Sequence, residues 1–151
     1  MTDVTRTPNQ ILLRGDAENY EEGVLDTVAS PGMALELQSD GKYDQVQSTS
    51  AEAAKARVRL LREDRLQGKT VDDAYAIGDV AQMYPLRRGD RVQVLVKSGQ
   101  TVAVGANGVV EGGGSGLFIV AAGSETNYHV EFTEASGGAL AANTLLAAEV
   151  L

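Results

Sequence analysis

The feature that most constrains this chain lies between Arg91 and Val104. Val92, Val94 and Val96 alternate there with Gln93, Leu95 and Lys97, and Val102 and Val104 resume the alternation after a break. A period of two is the signature of strands. A loop of Lys97, Ser98 and Gly99 would pair Val96 with Gln100, Val94 with Val102 and Val92 with Val104, and so keep the valines on one face. A two-residue Ser98-Gly99 loop would split them. Register is held by keeping one face apolar, so the pattern predicts a hairpin with the three-residue loop and a positive φ at Gly99.

The same logic runs on through Ala106-Asn107-Gly108, which separates Val102 and Val104 from Val109 and Val110. Asn-Gly between apolar runs is a strong hairpin signal, and the expectation is a three-stranded meander turning at Asn107 and Gly108. Upstream, Gly78-Asp79 and Gly89-Asp90 each stand just before a strand-like run, as turn chemistry requires. The predicted fold class is all-β: a small barrel or sandwich-like domain.

Composition narrows the options. With 151 residues, 43% of them hydrophobic, the chain can bury a full core; a chain of this size buries roughly 68–70% of its unfolded surface. Two Phe, five Tyr and no Trp leave that core to Val, Leu, Ile and Ala, which suits small barrels. Without Cys there is no disulfide, thiolate nucleophile or thiolate-bound metal. The net charge of -8 repels a phosphate backbone, and the one basic cluster, Arg57 to Arg65, contains Glu63 and Asp64; nucleic acid is not expected as a partner. No run of 18 apolar residues and no N-terminal apolar signal core are present, so neither a membrane partner nor export is expected.

Along the chain, residues 1–12 are polar, Thr-rich and without period, and are expected to form an extended arm that either frays or lies on a neighbour. Thr2, Val4, Thr5, Arg6, Pro8 and Ile11 are its candidate contact residues, and residues 13–151 form the body. Ser30-Pro31-Gly32 fits a type II turn, with Pro31 fixing φ and Gly32 supplying the positive value. Met33, Leu35 and Leu37 should then face one way, and Asp40-Gly41 should return the chain into a second strand through Tyr43 to Val46. From Ser48 to Asp64 a helix capped by Ser50 competes with a loop followed by a strand over 57–61, and the strand is preferred. Gly112 to Gly116 reads as a mobile surface loop. Leu117 to Val120 reads as a buried strand, and the tail from Leu140 as a closing strand over Leu145–Leu151 or a short helix.

Chemistry is sparse. His129 is the only histidine; on a strand it would share an exposed face with Glu131 and Thr133, with Tyr128, Val130 and Phe132 opposite. The neighbouring acids Glu21-Glu22, Glu63-Asp64 and Asp72-Asp73 point apart in extended chain; loop acids such as Asp72, Asp73 and Asp79 could supply oxygen ligands to a cation, but they match no calcium-loop pattern. Gly68-Lys69-Thr70 lacks the earlier glycine of a phosphate-binding loop. Arg14-Gly15-Asp16 and Arg88-Gly89-Asp90 could each display an adhesion tripeptide, but Gly-Asp is also ordinary turn chemistry. No catalytic residue, cofactor or metal site is expected.

The order of turns and strands resembles the head decoration (capsid-stabilising, or cement) proteins of tailed double-stranded DNA viruses. The likeness rests on Ser30-Pro31-Gly32-Met33-Ala34-Leu35-Glu36, Leu61-Arg62-Glu63-Asp64 and the run Val71 to Val80, followed by Arg88-Gly89-Asp90-Arg91-Val92-Gln93-Val94 and Gly99-Gln100-Thr101-Val102. It spans about residues 20–122; the segment from Ser48 to Ala56 and the tail after Gly123 fit it poorly. The resemblance implies a β-rich, non-enzymatic homotrimer on the outer surface of the virion that locks major capsid protein subunits together. A turret, spike-base or fibre subunit would share the composition. A receptor- or glycan-binding β module would be expected to expose more aromatics.

Overall fold

The computed structural model describes residues 10–46, 58–111, 113–123 and 128–151. Among them are the strands β1 (Leu12–Arg14), β2 (Glu21–Val24), β3 (Ala34–Leu37), β4 (Tyr43–Gln45), β5 (Arg59–Leu61), β6 (Val80–Pro85), β7 (Arg91–Val96), β8 (Asn107–Val110), β9 (Phe118–Val120), β10 (Val130–Phe132) and β11 (Thr144–Val150), with one 3-10 turn over Arg65–Gln67. The chain is all-β, as expected, and its strands form two curled sheets.

The first sheet runs β1-β7-β11-β10-β8-β9, and β9 returns to β7 through a parallel pairing of Phe118 with Val96. Five strands thereby close into a barrel with β1 lying beside β7. Opposed residues in an antiparallel pair share a face, so the register of Val92 with Ala148, Val94 with Leu146 and Phe132 with Ala148 collects the apolar side chains inside. Phe118, Val110, Val130 and Val150 belong to the same buried cluster. Interiors of small barrels are filled by side chains.

The second sheet runs β2-β6-β5-β3-β4 and curls until its outer strands nearly meet. Leu25, just past β2, forms a single parallel bridge with Tyr43, and the Asp26 N–H donates to the Tyr43 carbonyl at 2.8 Å. Both faces of its middle strand, β5, are covered. Leu35, Leu61, Met83 and Ala81 pack with Leu25, Tyr43 and Tyr75 inside the curl, whereas Ala34, Leu60 and Tyr84 join the barrel cluster. This explains why the whole of β5 is buried, and the preferred strand is formed there; residues 47–57 lie outside the described residues.

The two sheets meet on β7. One side of β7 pairs with β11, and its other side is completed by three separate segments: the Gln93 N–H donates to Ile11 O at 2.8 Å, Leu95 N–H to Gly32 O at 2.9 Å and Lys97 N–H to Phe118 O at 3.0 Å. Buried backbone groups must be paired, and here pairing requires β1, the Pro31-Gly32 turn and β9 together. Gly32 is the joint. Its φ is 91°, its N–H donates to Leu61 O of β5 at 2.8 Å, and a Cβ there would stand 2.5 Å from Leu145 Cδ2 and 2.9 Å from the Leu95 nitrogen.

Several expectations are corrected. β7 does not pair with Gln100 to Val104; β11 and the three segments occupy both of its edges, and Thr101 instead bridges Ala139. Gly99 keeps its positive φ, 85°, in a turn closed by Gln100 N–H to Lys97 O. The next turn falls at Ala103 to Ala106, where Gly105 has the positive φ, so Asn107 and Gly108 are strand residues. Gly108 is small for another reason: a Cβ would lie 2.7 Å from the Phe132 ring and 2.8 Å from Val130 Cγ2. Leu37 is exposed rather than aligned with Met33 and Leu35 in the core. The described part of the glycine-rich loop is docked, since Gly116 O accepts the Ala34 N–H at 2.8 Å. The tail forms the strand alternative as β11.

Candidate functional site

The arm boundary moves first. Ile11 is fully buried, Leu12 nearly so, and the Ile11 N–H donates to Glu63 Oε2 at 3.0 Å across 52 residues of chain. Ile11 therefore belongs to the body and is no contact residue for a partner. Thr2, Val4, Thr5, Arg6 and Pro8 lie outside the described residues. Glu63 is itself buried, with the Arg62 guanidinium 3.8 Å away, and Arg62 is stacked between Tyr20 at 5.4 Å and Tyr84 at 4.8 Å. The chain thus enters the fold where β5 leaves the second sheet.

The expected turn residues serve this same junction. Pro31 and Gly32 form the joint described above, closed by Met33 N–H to Ser30 O at 3.1 Å. Gly89 and Asp90 turn the chain into β7, with Asp90 N–H donating to Arg87 O at 3.0 Å. The two Arg-Gly-Asp tripeptides pack on each other. Arg14 donates to Gly89 O at 3.0 Å and pairs with Glu149 at 2.8 Å, while the Asp90 carboxyl fills the place of a Cβ on Gly15. Partial burial pushes the Asp90 carboxyl above its ordinary range; Arg87 and Arg14 oppose this and Asp16 adds to it. What the sequence offers as two adhesion loops is one packed contact.

Other polar groups hold the second sheet. Glu21 Oε2 accepts from Arg59 Nε at 3.0 Å and from the Tyr43 hydroxyl at 2.9 Å, tying β2, β5 and β4 at the seam of the curl. Tyr75 donates its hydroxyl to Arg62 O at 2.8 Å, and burial raises its pKa. The acids considered for a cation are engaged locally. Asp73 accepts from the Thr70 N–H at 2.8 Å and hydroxyl at 2.9 Å, and Asp79 from the Ala76 N–H at 2.8 Å. Among the described residues no group of three His, Cys, Asp or Glu could hold a metal ion, and no helix is long and apolar enough to cross a membrane.

His129 departs from its expected place beside a solvated Glu131. It precedes β10 instead of alternating within it, and it is buried, with Val110 N–H directed at Nδ1 at 3.4 Å and its ring edge-on to Phe118. Glu131 remains exposed. The histidine belongs to the packing at the barrel wall.

Two surfaces stand apart from this polar framework, and sequence reasoning singled out neither. One is apolar. Val24 lies opposite Val80, Gln67 donates to Val80 O at 2.9 Å, and Leu66 and Ile77, 95% and 64% exposed, flank the pair in sequence or through that bond. Glu22, Asp26 and Asp79 border it, with Arg65 beside Leu66. The other is an uncharged end of the barrel built from residues 98–106 and 135–143. No family model matches this sequence, and none of the curated proteins is similar to it.

Proposed function

We propose that this chain is a capsid decoration protein of a tailed double-stranded DNA virus, a non-enzymatic subunit that binds the outer surface of the head and stabilises contacts between major capsid protein subunits. One observation carries the reading: three of the segments behind the resemblance, Ser30 to Glu36, Leu61 to Asp64 and Val71 to Val80, meet at a single junction. Gly32 bonds both Leu61 and Leu95, Arg62 stacks on Tyr84 and accepts from Tyr75, and Glu63 secures the Ile11 N–H from which the polar N-terminal residues lead. Short turn motifs that are scattered in the sequence thus act as one structural unit. The polar side chains followed around it are engaged in holding strands together, which suits a body that works by adhesion. The arm would add contacts on the shell, with the entropic cost of ordering it offset by those contacts.

The test is binding to undecorated heads of the virus that encodes the chain. Saturable binding that raises head stability is expected, and no binding contradicts the proposal. Deleting residues 1–9, but keeping Gln10 and Ile11, should weaken binding while leaving thermal unfolding of the free protein nearly unchanged. Binding that survives the deletion intact removes the arm from the account.

A further inference from the structure

Charge is unevenly placed along the chain. All 13 Lys and Arg lie at or before Lys97, and no charged residue occurs from Ser98 to Val110 or from Ala135 to Ala148. The fold brings these two uncharged segments together. Gly99 N–H donates to Leu140 O at 2.7 Å, Leu140 N–H to Gln100 O at 3.0 Å, Ser136 N–H to Val102 O at 2.9 Å and Ser98 N–H to the Asn143 side chain at 2.9 Å, with Thr101 bridging Ala139. The result is one pinned surface over an end of the barrel. Thr101, Ala103, Val104, Ala139 and Asn143 are exposed on it, Val104 at 67%. Of the charged residues flanking these segments, Glu134 accepts the Ala147 N–H at 2.8 Å and Lys97 pairs with Glu111, while Glu131 of β10 is exposed.

We infer that this uncharged barrel end is where copies of this chain meet one another. The argument is electrostatic. A net charge of -8 opposes self-association, and the cost is least where charges are sparse. Depletion of charge is the compositional mark of an interface core. The other exposed apolar surface, around Leu66, Ile77 and Val80, is bordered by Glu22, Asp26 and Asp79 as well as Arg65, a net negative rim that a like copy would bring against itself. The inference rests on the proposed role only in supposing an assembly; it is tested on the free protein, so its failure and the failure of head binding are separate results.

The experiment is light scattering on the full chain across the micromolar range, comparing the parent with Val104→Glu, Ala139→Glu and, as a control surface, Leu66→Glu. The expected result is a parent mass that is a multiple of 15.9 kDa, a fall to 15.9 kDa in the first two variants, and no change in the third. Circular dichroism of each variant reports whether the fold is kept; Thr101→Lys is the second probe should Val104→Glu misfold. A parent that is monomeric throughout, barrel-end variants that keep its mass, or dissociation by Leu66→Glu overturns the inference.

Discussion

The two sheets solve the same problem differently. The barrel closes through a run of paired strands and leaves only β1 outside the ring, whereas the second sheet closes through one bridge, Leu25 to Tyr43. A closed sheet removes its edges. An almost closed one must hold its seam by side chains, and here Tyr43 does much of that: it lies over Gly23 of β2, donates to Glu21, and has Arg59 stacked on its ring. The barrel is thus held by apolar packing and backbone ladders, and the curl by a polar clamp set beside a smaller core. Gly32 joins the two.

If that division is right, the largest loss comes from the barrel interior. Phe132→Ala empties the space against Gly108 and should cost about 3–5 kcal/mol of unfolding free energy, measured by urea titration; a cost near zero would mean that the barrel is not the main core. Gly32→Val attacks the joint. It places a β-branched side chain at positive φ against Leu95 and Leu145, and should cost roughly 2–5 kcal/mol from overpacking and backbone strain together. Both sheets should lose protection in this variant, whereas a loss confined to one would separate them. Tyr43→Phe removes only the hydroxyl bond at the seam, and should cost about 0.5–1.5 kcal/mol, with increased hydrogen exchange in β2 and β4 and none in β11.

The smallest effect is a matter of pH. Burial raises the Asp90 carboxyl above its ordinary value of 3.8, so the folded state binds that proton more tightly than the unfolded chain does. Stability linked to this group is full below the ordinary carboxyl range and is lost as pH rises through the higher folded value. Asp90→Asn stays neutral throughout. Its stability relative to the parent should therefore rise across that window and level off above it, as read from urea midpoints at acid and neutral pH; a flat or falling difference contradicts the burial of Asp90.

Local chemistry was the legible part of the sequence. Pro31-Gly32, Asp40-Gly41, Gly78-Asp79 and Gly89-Asp90 all turn where expected, because a positive φ after the right neighbour is a local requirement. Pairing was not legible. Val94 finds Leu146 across more than fifty residues, and nothing near Val94 distinguishes that partner from Val102, whose alternation imitates an adjacent strand. Gly108 misled for a related reason: a glycine that frees the backbone and one that makes room for a distant Phe132 read alike in sequence. The junction residue Glu63 and the uncharged barrel end were equally hidden, since each depends on segments that meet only in the fold. The arm boundary failed by the same route, because Ile11 is apolar in a polar stretch and its anchor lies on β5's far side.

The account depends most on β7 being completed by three segments at once. Native-state hydrogen exchange at Gln93, Leu95 and Lys97 tests this directly, because their amides bond in turn to Ile11, Gly32 and Phe118. All three should exchange only through global unfolding, with matching free energies. Slow exchange at Lys97 together with fast exchange at Gln93 and Leu95 would contradict the account, leaving a barrel to which β1 and the second sheet are only loosely attached.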